Sequence, residues 1–479
     1  MHIILQCLVL AQLILITLSQ SCLNSKGQEV DWWFILKMPK NSKQKWTGLE
    51  YFYCDKENDC KEFNLQDDDL DSATSPLMQT IKTIDFTDDK FISILWSDQP
   101  NSEITYSNHA HSKGIMRAGL EDKKNAFIIS HSTPRFPKLN EYGQIDDKVE
   151  DNFARNGQHF LCLSTTTDKI DEILAESYYE AEIQIYKVSQ TPTKIFGRGY
   201  YPNIYKLWST KKPGKGESHH RYSKTTLYSH VRFTTRENQK FKIFSKNEDF
   251  EQDFYAKFVA EELQQDLIME TWVRQKGKGL DDPVCKKYKT SSNHQVSFHG
   301  KNKHKEVTFT YLYTKDHSKY GITLPRDPAS TSKGESFITT DYSHPSLKGQ
   351  IFTSVKNLQR SKILNVDEDT VIKEDEDEEE DEKMEDASPK PDDSMDVDHP
   401  KSEEKLLGRK RKRDDSEELE PPPKRMPTEK KNKDKYVCVS DLNRQESQWF
   451  RGGVVYCFYN ENLWGHIDKA FVGKQLCKS

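Results

Sequence analysis

This 479-residue chain is organised around two short stretches, Asn108-His109-Ala110-His111-Ser112-Lys113-Gly114 and Asp316-His317-Ser318-Lys319. Each stretch places a histidine and a lysine two residues apart, and in an extended segment that spacing sends both side chains to the same face. A neutral imidazole can attack phosphorus, and a neighbouring ammonium group can hold the phosphoryl oxygens. Two such pairs in one site would supply a nucleophile, a general acid and two cations. The candidate catalytic residues are therefore His111, Lys113, His317 and Lys319.

The spacing alone does not identify a site. His299-Gly300-Lys301 and His399-Pro400-Lys401 share it, and a chain rich in both residue types contains such pairs by chance. The first two pairs differ because both read His-Ser-Lys and both follow predicted strands, at residues 91–96 and 307–313. On spacing alone, exposed polar loop residues are the simpler interpretation.

Apolar runs and their periodicity predict a chain of mixed strands and helices. Amphipathic patterns predict helices over residues 170–181 and 249–273. Strands and helices with two similar charged motifs predict an α/β fold with mixed sheets, built from two halves. The other predicted strands are residues 30–37, 51–54, 127–130, 157–163, 224–234 and 241–245.

A strongly charged segment interrupts this pattern. Residues 367–404 hold 20 acidic and 4 basic residues, and such a sequence cannot bury enough apolar surface to fold alone. The basic clusters at residues 409–413 and 424–425 are typical of nuclear-localisation signals, although a solvated linker is the favoured interpretation. We predict a low-complexity acidic and basic insertion over residues 327–435, largely disordered. The rest of the chain is modestly basic, which suits a polyanionic substrate.

The first residues indicate export. Residues 3–18 are almost entirely apolar and precede Ser19-Gln20-Ser21, which predicts a signal peptide over residues 1–21, cleaved before Cys22. A membrane anchor is the alternative, but the run is short for a bilayer span. No stable membrane association is expected after cleavage. Eight cysteines then remain in a compartment where disulfides persist, and their spacing alone leaves the pairing open.

Taken together, these motifs resemble the acid deoxyribonuclease (deoxyribonuclease II) family of the phospholipase D superfamily. The resemblance covers nearly all of the chain outside residues 1–21 and the predicted insertion. It rests on Val30-Asp31-Trp32-Trp33, Lys37-Met38-Pro39, His111-Ser112-Lys113-Gly114, His131-Ser132-Thr133-Pro134-Arg135-Phe136-Pro137, Gly157-Gln158 before Cys162, His219-His220, Phe241–Trp272, Asp316-His317-Ser318-Lys319, Cys438-Val439-Ser440-Asp441-Leu442-Asn443-Arg444 and Arg451-Gly452-Gly453.

The resemblance implies two tandem phospholipase-D-like halves that form a pseudo-dimer with one shared active site. The N-terminal half would span residues 22–195, and the C-terminal half residues 196–326 and 436–479. Whether the pseudo-dimer within one chain is the whole assembly, or a homodimer forms, is left open. The implied disulfides are Cys22–Cys162, Cys285–Cys477 and Cys438–Cys457, which leave Cys54–Cys60 as this chain's own pair.

The resemblance also implies an acid endonuclease that cuts double-stranded DNA to 3′-phosphate products through a phosphohistidine. No metal or other cofactor is implied, and the location would be lysosomal or secreted. His131 is a possible third active-site histidine and Asn443 a possible orienting group, with structural roles as their alternatives. The carboxylate often found six residues after the first motif lysine is missing, because Gly119 stands there. A catalytically inactive DNA-binding member of the same fold is therefore the alternative function, and a nuclear acidic protein is a third that rests on the insertion alone.

Overall fold

Two large β-sheets dominate the structure, a computed structural model. It describes residues 20–100, 105–106, 109–121, 123–190, 199–209, 227–272, 283–303, 306–325 and 435–477. These residues belong to one compact unit formed by residues 1–330 and 431–479. Most of the predicted signal peptide, the pair His219-His220 and the predicted insertion up to residue 434 lie outside the described residues.

The first large sheet has eight strands in the order β10-β6-β7-β8-β9-β3-β4-β5, and all of its neighbouring strands are antiparallel. A small antiparallel pair, β1 with β2, precedes it. The strands are β1 Cys22–Leu23, β2 Glu29–Val30, β3 Trp32–Lys37, β4 Tyr51–Asp55, β5 Asn64–Leu65, β6 Phe91–Ser97, β7 Lys113–Gly119, β8 Ala126–His131, β9 Gln158–Thr165 and β10 Ile185–Val188.

The second large sheet also has eight strands, in the order β11-β12-β20-β19-β18-β13-β15-β14. Within it the β13–β15 pair is parallel and the other pairs are antiparallel. A separate hairpin joins β16 and β17. The strands are β11 Tyr228–Thr234, β12 Lys240–Lys246, β13 Asp266–Glu270, β14 Val284–Cys285, β15 Lys289–Asn293, β16 Gln295–Lys301, β17 Glu306–Leu312, β18 Tyr320–Leu324, β19 Tyr436–Ser440 and β20 Gly453–Tyr459.

The helices are short. The α-helices are α1 Pro76–Ile81, α2 Thr167–Lys169, α3 Ala175–Glu180, α4 Pro202–Ser209, α5 Ala260–Leu263 and α6 Glu461–Ala470. The π-helical segments Ile170–Leu174 and Tyr255–Val259 precede α3 and α5, and 3₁₀ turns lie at Asp151–Ala154, Glu248–Phe250, Tyr313–Lys315 and Glu446–Gln448. Within the described residues, no helix combines the length and the apolar character needed to cross a membrane.

The main core cluster contains residues of both large sheets. Strand β3 is buried along its whole length, and its alternate side chains enter two clusters, Phe34 in the main core and Trp33 in the core on the opposite face of the first sheet. Trp32 contacts Phe458 of the second sheet with ring centroids 5.1 Å apart. The hydroxyl groups of Tyr178 and Tyr456 lie 2.8 Å apart. The mixed fold of strands and helices predicted from the sequence is confirmed.

The helix predicted over residues 249–273 is wrong. The helical turns end at Leu263, Gln264 adopts a left-handed conformation with φ of 56°, and Asp266–Glu270 forms strand β13. Strand β13 lies between β18 and β15 and is buried along its length. Both faces of the sheet are covered there, so a continuous apolar run is expected in a strand as well as in a helix. The apolar spacing of Leu263 and Leu267 fits a helix, but these residues lie on either side of a helix–strand junction.

Four disulfides connect the described chain. They are Cys22–Cys162, Cys54–Cys60, Cys285–Cys477 and Cys438–Cys457. Three of these are the pairs that the family resemblance implies, and Cys54–Cys60 is the remaining pair that was expected to be this chain's own. Two of them close long loops, with sequence separations of 140 and 192 residues. Cross-links of this length restrict the unfolded chain most strongly.

Candidate active site

The ends of neighbouring strands bring the first motif together. Lys113 is the first residue of β7, and its partners in the sheet are Ser97 in β6 and His131 in β8. Asp98 follows Ser97 directly, so its carboxylate lies beside the start of β7. Because adjacent antiparallel strands run in opposite directions, the start of one strand and the end of the next meet at one edge of the sheet.

Asp98 is the buried counter-ion of the cationic side chains at this edge of the sheet. It accepts a hydrogen bond from Lys113 Nζ at 2.6 Å and another from Arg451 Nη2 at 2.7 Å. Its other close neighbour is His111, with Nε2 4.0 Å from the carboxylate. Burial alone would raise the pKa of Asp98, but the charges of Lys113 and Arg451 outweigh it and hold the pKa well below its usual range. Asp98 is therefore an anion even at acid pH.

The ring and the backbone of His111 are both held by the second half of the chain. The ring nitrogen Nδ1 lies 2.9 Å from the main-chain oxygen of Asp441, and the His111 amide donates to the oxygen of Gly452 at 3.0 Å. A side chain at Gly452 would not fit, because an added Cβ would lie 1.8 Å from the main-chain oxygen of Ala181. Burial, followed by the charge of Lys113, lowers the pKa of His111 well below its usual value. The imidazole is therefore neutral at mildly acidic pH.

The second motif lies at the start of β18. Lys319 is buried, and its ammonium group donates to the main-chain oxygen of His317 at 2.6 Å. Burial, with the charge of Lys113 second, lowers the pKa of Lys319 to about 7. The His317 ring is partly exposed and packs against Trp272, with ring centroids 4.2 Å apart. The two lysines of the motifs are thus electrostatic neighbours, and His317 lies on the more open side.

Asp441 connects the two motifs. Besides its main-chain contact with His111, its carboxyl group accepts from the Val454 amide at 3.2 Å and lies within the fields of both Lys113 and Lys319. Burial raises the pKa of Asp441 to about 7 in spite of these cations. At mildly acidic pH its carboxyl group is therefore neutral.

The two supporting candidates have different surroundings. His131 is buried against Phe136 and Phe160, with ring centroids 5.3 and 5.7 Å away. Burial, with Lys113 second, lowers its pKa to about 3. Asn443 is buried beside Lys246 and Trp449 in a small cavity, and its Oδ1 makes no hydrogen bond to another described residue. The hydrogen bonds of the described chain thus do not link Asn443 to either motif.

Sequence reasoning missed the carboxylates of the site. Asp98 and Asp441 each follow the last residue of a strand, and Arg451 stands two residues before β20. The signals were present, since a polar residue directly after a buried strand lies at a sheet edge, and Asp441 lies inside a motif that carries the family resemblance. Gly119 provides no carboxylate at the position where the family often has one. Asp98, directly after β6, contacts Lys113 at 2.6 Å and can support it instead.

A known family model covers most of the chain. Residues 21–335 and 425–477 match the family model described as deoxyribonuclease II. The chain belongs to the deoxyribonuclease II family. The matched ranges contain both motifs, Asp98, Asp441 and Arg451, and they leave out residues 336–424.

Individual relatives align across much of their own length. The chain is 27% identical over 262 residues to human deoxyribonuclease-2-beta, covering 53% of this chain and 67% of the relative. It is 25% identical over 325 residues to mouse deoxyribonuclease-2-alpha, covering 64% and 81% respectively. Plancitoxin-1 of Acanthaster planci is 26% identical over 318 residues, covering 63% and 79%. Within the described residues, no group of three or more His, Cys, Asp or Glu side chains is arranged to hold a metal ion.

Proposed function

We propose that this member of the deoxyribonuclease II family is an acid endonuclease that hydrolyses double-stranded DNA to products ending in 3′-phosphates. The observation that carries the proposal is that the end of β19 contacts both motifs. The Ser440 amide donates to the main-chain oxygen of Lys319 at 2.8 Å, and the main-chain oxygen of Asp441 lies 2.9 Å from His111 Nδ1. Both motifs therefore contribute to one site. The names of the relatives support DNA as the substrate.

His111 is suited to be the nucleophile. The main-chain oxygen of Asp441 can only accept a hydrogen bond, so His111 Nδ1 carries the proton of the neutral ring. The lone pair then resides on Nε2, and the lowered pKa keeps it available at mildly acidic pH. His317, partly exposed beside Trp272, is suited to be the general acid.

The reaction then proceeds in two displacements at phosphorus. In the first, Nε2 of His111 forms a P–N bond, the P–O5′ bond breaks, and the leaving oxygen takes a proton from His317. In the second, His317 takes a proton from water, the water oxygen attacks phosphorus, and the P–N bond breaks to release the 3′-phosphate. The ammonium groups of Lys113 and Lys319 stabilise the negative charge on the non-bridging oxygens. The proposed chemistry needs no metal or other cofactor.

The proposed location is the lysosome or the secretions. Four disulfides are typical of proteins that fold in an oxidising compartment. An acidic compartment also matches the protonation states argued above, with His111 neutral, Lys319 charged and Asp441 neutral. The proposed partner is double-stranded DNA, held without base specificity through its phosphates.

A plasmid-nicking assay tests the proposal. The disulfide-intact protein should convert supercoiled DNA to nicked and linear forms at about pH 5 with a chelator present, and the ends should carry 3′-phosphates. The control is the same protein after reduction of the disulfides. DNA binding without cleavage would overturn the proposal and favour the catalytically inactive DNA-binding alternative.

The activity is expected to fall as the pH rises through about 7. Below that pH Lys319, whose pKa is lowered to about 7, is charged, and Asp441, whose pKa is raised to about 7, is neutral. Above it Lys319 loses its charge and Asp441 gains one, and both changes make the site more negative and repel phosphate. Cleavage rates measured from pH 5 to 8 should decline by more than about tenfold for each unit above the transition, because each of the two ionisations contributes up to about tenfold.

Asp441→Asn provides the matched control for this profile. Asparagine keeps an acceptor for the Val454 amide but cannot ionise, so one of the two charge changes is removed. Relative to its own rate at pH 5, this variant should lose less activity by pH 8 than the unmodified protein. A flat profile of the unmodified protein over that range would contradict the assignment of these two groups to the site.

A further inference from the structure

His159 occupies an unusual position at the junction of the two motif-bearing regions. It is the second residue of β9, and its main-chain groups are already used within the first sheet. Its amide donates to Ser132 Oγ at 3.0 Å, and its main-chain oxygen accepts from the Ser132 amide at 3.2 Å. The contact of His159 with the second motif is made by its side chain.

The segment that carries the second motif runs parallel to the start of β9. The Gly157 amide donates to the oxygen of Lys315 at 2.8 Å, and the His317 amide donates to the oxygen of Gly157 at 2.9 Å. In a continuing parallel ladder the Lys319 amide would next donate to the main-chain oxygen of residue 159. Instead it donates to Nδ1 of His159 at 3.0 Å. The imidazole of His159 therefore takes the place of a peptide carbonyl in this ladder.

The hydrogen bond also determines which ring nitrogen of His159 carries the proton. Because an amide N–H can only donate, Nδ1 of His159 must be unprotonated, and the neutral ring carries its proton on Nε2. Within the described chain Nε2 is buried and has no hydrogen-bond partner. A protonated ring would carry two donors and no acceptor, and the bond to Lys319 would be lost.

The His159 ring stays neutral at acid pH, with Nδ1 unprotonated. Burial, with added contributions from the charged or titratable groups Lys319, His131 and Lys113, lowers the pKa of His159 well below its usual value. The acceptor therefore persists where an ordinary histidine would be mostly protonated.

We propose that His159 is a positioning residue of the second motif, which it holds in register by accepting the hydrogen bond of the Lys319 amide. This inference rests on the proposed function, since the second motif is taken to be catalytic. The Lys319 main chain also carries the ammonium group that donates to the oxygen of His317. One side-chain acceptor thus fixes the backbone from which both His317 and Lys319 extend, and a displacement of about 1 Å can lower catalysis by about 10²-fold.

Two nearly isosteric substitutions isolate the acceptor. In His159→Asn the amide oxygen occupies the place of Nδ1, whereas His159→Leu has a similar size and no acceptor. The leucine variant should lose kcat by about 10²-fold with a smaller change in KM, and the asparagine variant should stay within about tenfold of the unmodified protein. If His159 had only a structural role, the two substitutions would change kcat to the same extent. Equal kcat values for the two variants would overturn the inference.

A third substitution covers the case in which leucine prevents folding. His159→Gln keeps a polar amide, but its oxygen lies where Nε2 lies and cannot accept from the Lys319 amide. It should therefore lose kcat as the leucine variant does, while His159→Asn does not. If the glutamine and asparagine variants had the same kcat, the inference would be wrong.

Hydrogen exchange separates failure of this inference from failure of the proposed function. Deuterium uptake of peptides covering residues 317–324, measured by mass spectrometry, should rise in the leucine variant and stay unchanged in the asparagine variant. This readout does not need catalysis, so an unmodified protein that fails to cleave DNA would overturn the proposed function alone. Equal uptake in both variants would overturn the role of His159 even in an active enzyme.

Discussion

Alanine at His111 or at His317 is expected to lower the rate of DNA cleavage by about 10³-fold or more, because each change removes one of two groups that act together. In the proposed mechanism, His111→Ala removes the nitrogen that attacks phosphorus, and His317→Ala removes the proton donor for the leaving oxygen. For groups that act as a unit the losses do not add, so the double variant should be about as slow as the slower single variant. Initial rates of plasmid nicking at about pH 5 measure all three.

His299→Ala is the matched control, because His299-Gly300-Lys301 has the same spacing. His299 lies on the β16–β17 hairpin, is exposed, and its Nδ1 is 2.8 Å from Thr308 Oγ1. This variant should keep the unmodified rate. Loss of activity in His299→Ala, or a double variant much slower than either single variant, would contradict the model of one shared site.

The leaving group separates the roles of the two histidines. Thymidine 3′-(4-nitrophenyl phosphate) releases nitrophenolate, a weak base that departs without protonation. In a single-turnover measurement of nitrophenolate release, His317→Ala should therefore approach the unmodified rate, whereas His111→Ala should not, because attack on phosphorus is still required. The steady-state rate of His317→Ala should stay low, because His317 also takes the proton from water in the second displacement. The opposite pattern would exchange the two assignments.

The sequence predicted those features that depend on local patterns. Strand β3 is a long apolar run, and the strands around residues 91–96 and 127–130 are similar, so their burial follows from composition. The two His-Ser-Lys motifs were recognisable because their chemistry is contained in three residues. The helix over residues 249–273 was predicted wrongly because the same apolar spacing fits both a helix and the junction between α5 and β13.

The remaining features of the site depend on pairs of residues that are far apart in the chain. Asp98 and Arg451 form an ion pair across 353 residues, and His111 contacts the main chain of Asp441 across 330. Neither contact has a local pattern that would reveal it. The same is true of His159, which reads as an ordinary residue within a strand until the Lys319 amide is seen to donate to it across 160 residues.

The second prediction with a large effect concerns Asp98. Asp98→Asn should lower the free energy of unfolding by about 3 to 5 kcal/mol, because removing one member of a buried ion pair leaves its partners uncompensated. The partners are Lys113 at 2.6 Å and Arg451 at 2.7 Å, and the side chains of Asp98 and Lys113 are 1% and 2% exposed. Denaturant unfolding at about pH 5, followed by fluorescence, measures the change.

Asp168→Asn is the control, because it breaks an ion pair of similar chemistry at the surface. Lys123 Nζ lies 3.2 Å from Asp168, and the two side chains are 57% and 48% exposed. Solvent screens such a pair, so its loss should lower the free energy of unfolding much less than Asp98→Asn does. An Asp98→Asn variant no less stable than Asp168→Asn would show that Asp98 is not the counter-ion on which the first motif depends.

The pH dependence of this stabilisation has a definite sign. The pKa of Asp98 is lower in the folded protein than in the unfolded chain, so the carboxylate stabilises the fold above its unfolded pKa of about 3.9. That contribution is lost only as the pH falls through the much lower folded pKa. The difference in stability between the unmodified protein and Asp98→Asn should therefore be as large at pH 5 as at pH 7. Because this difference persists at acid pH, Asp98 can hold Lys113 and Arg451 in place under the conditions in which the proposed reaction needs Lys319 charged and His111 neutral.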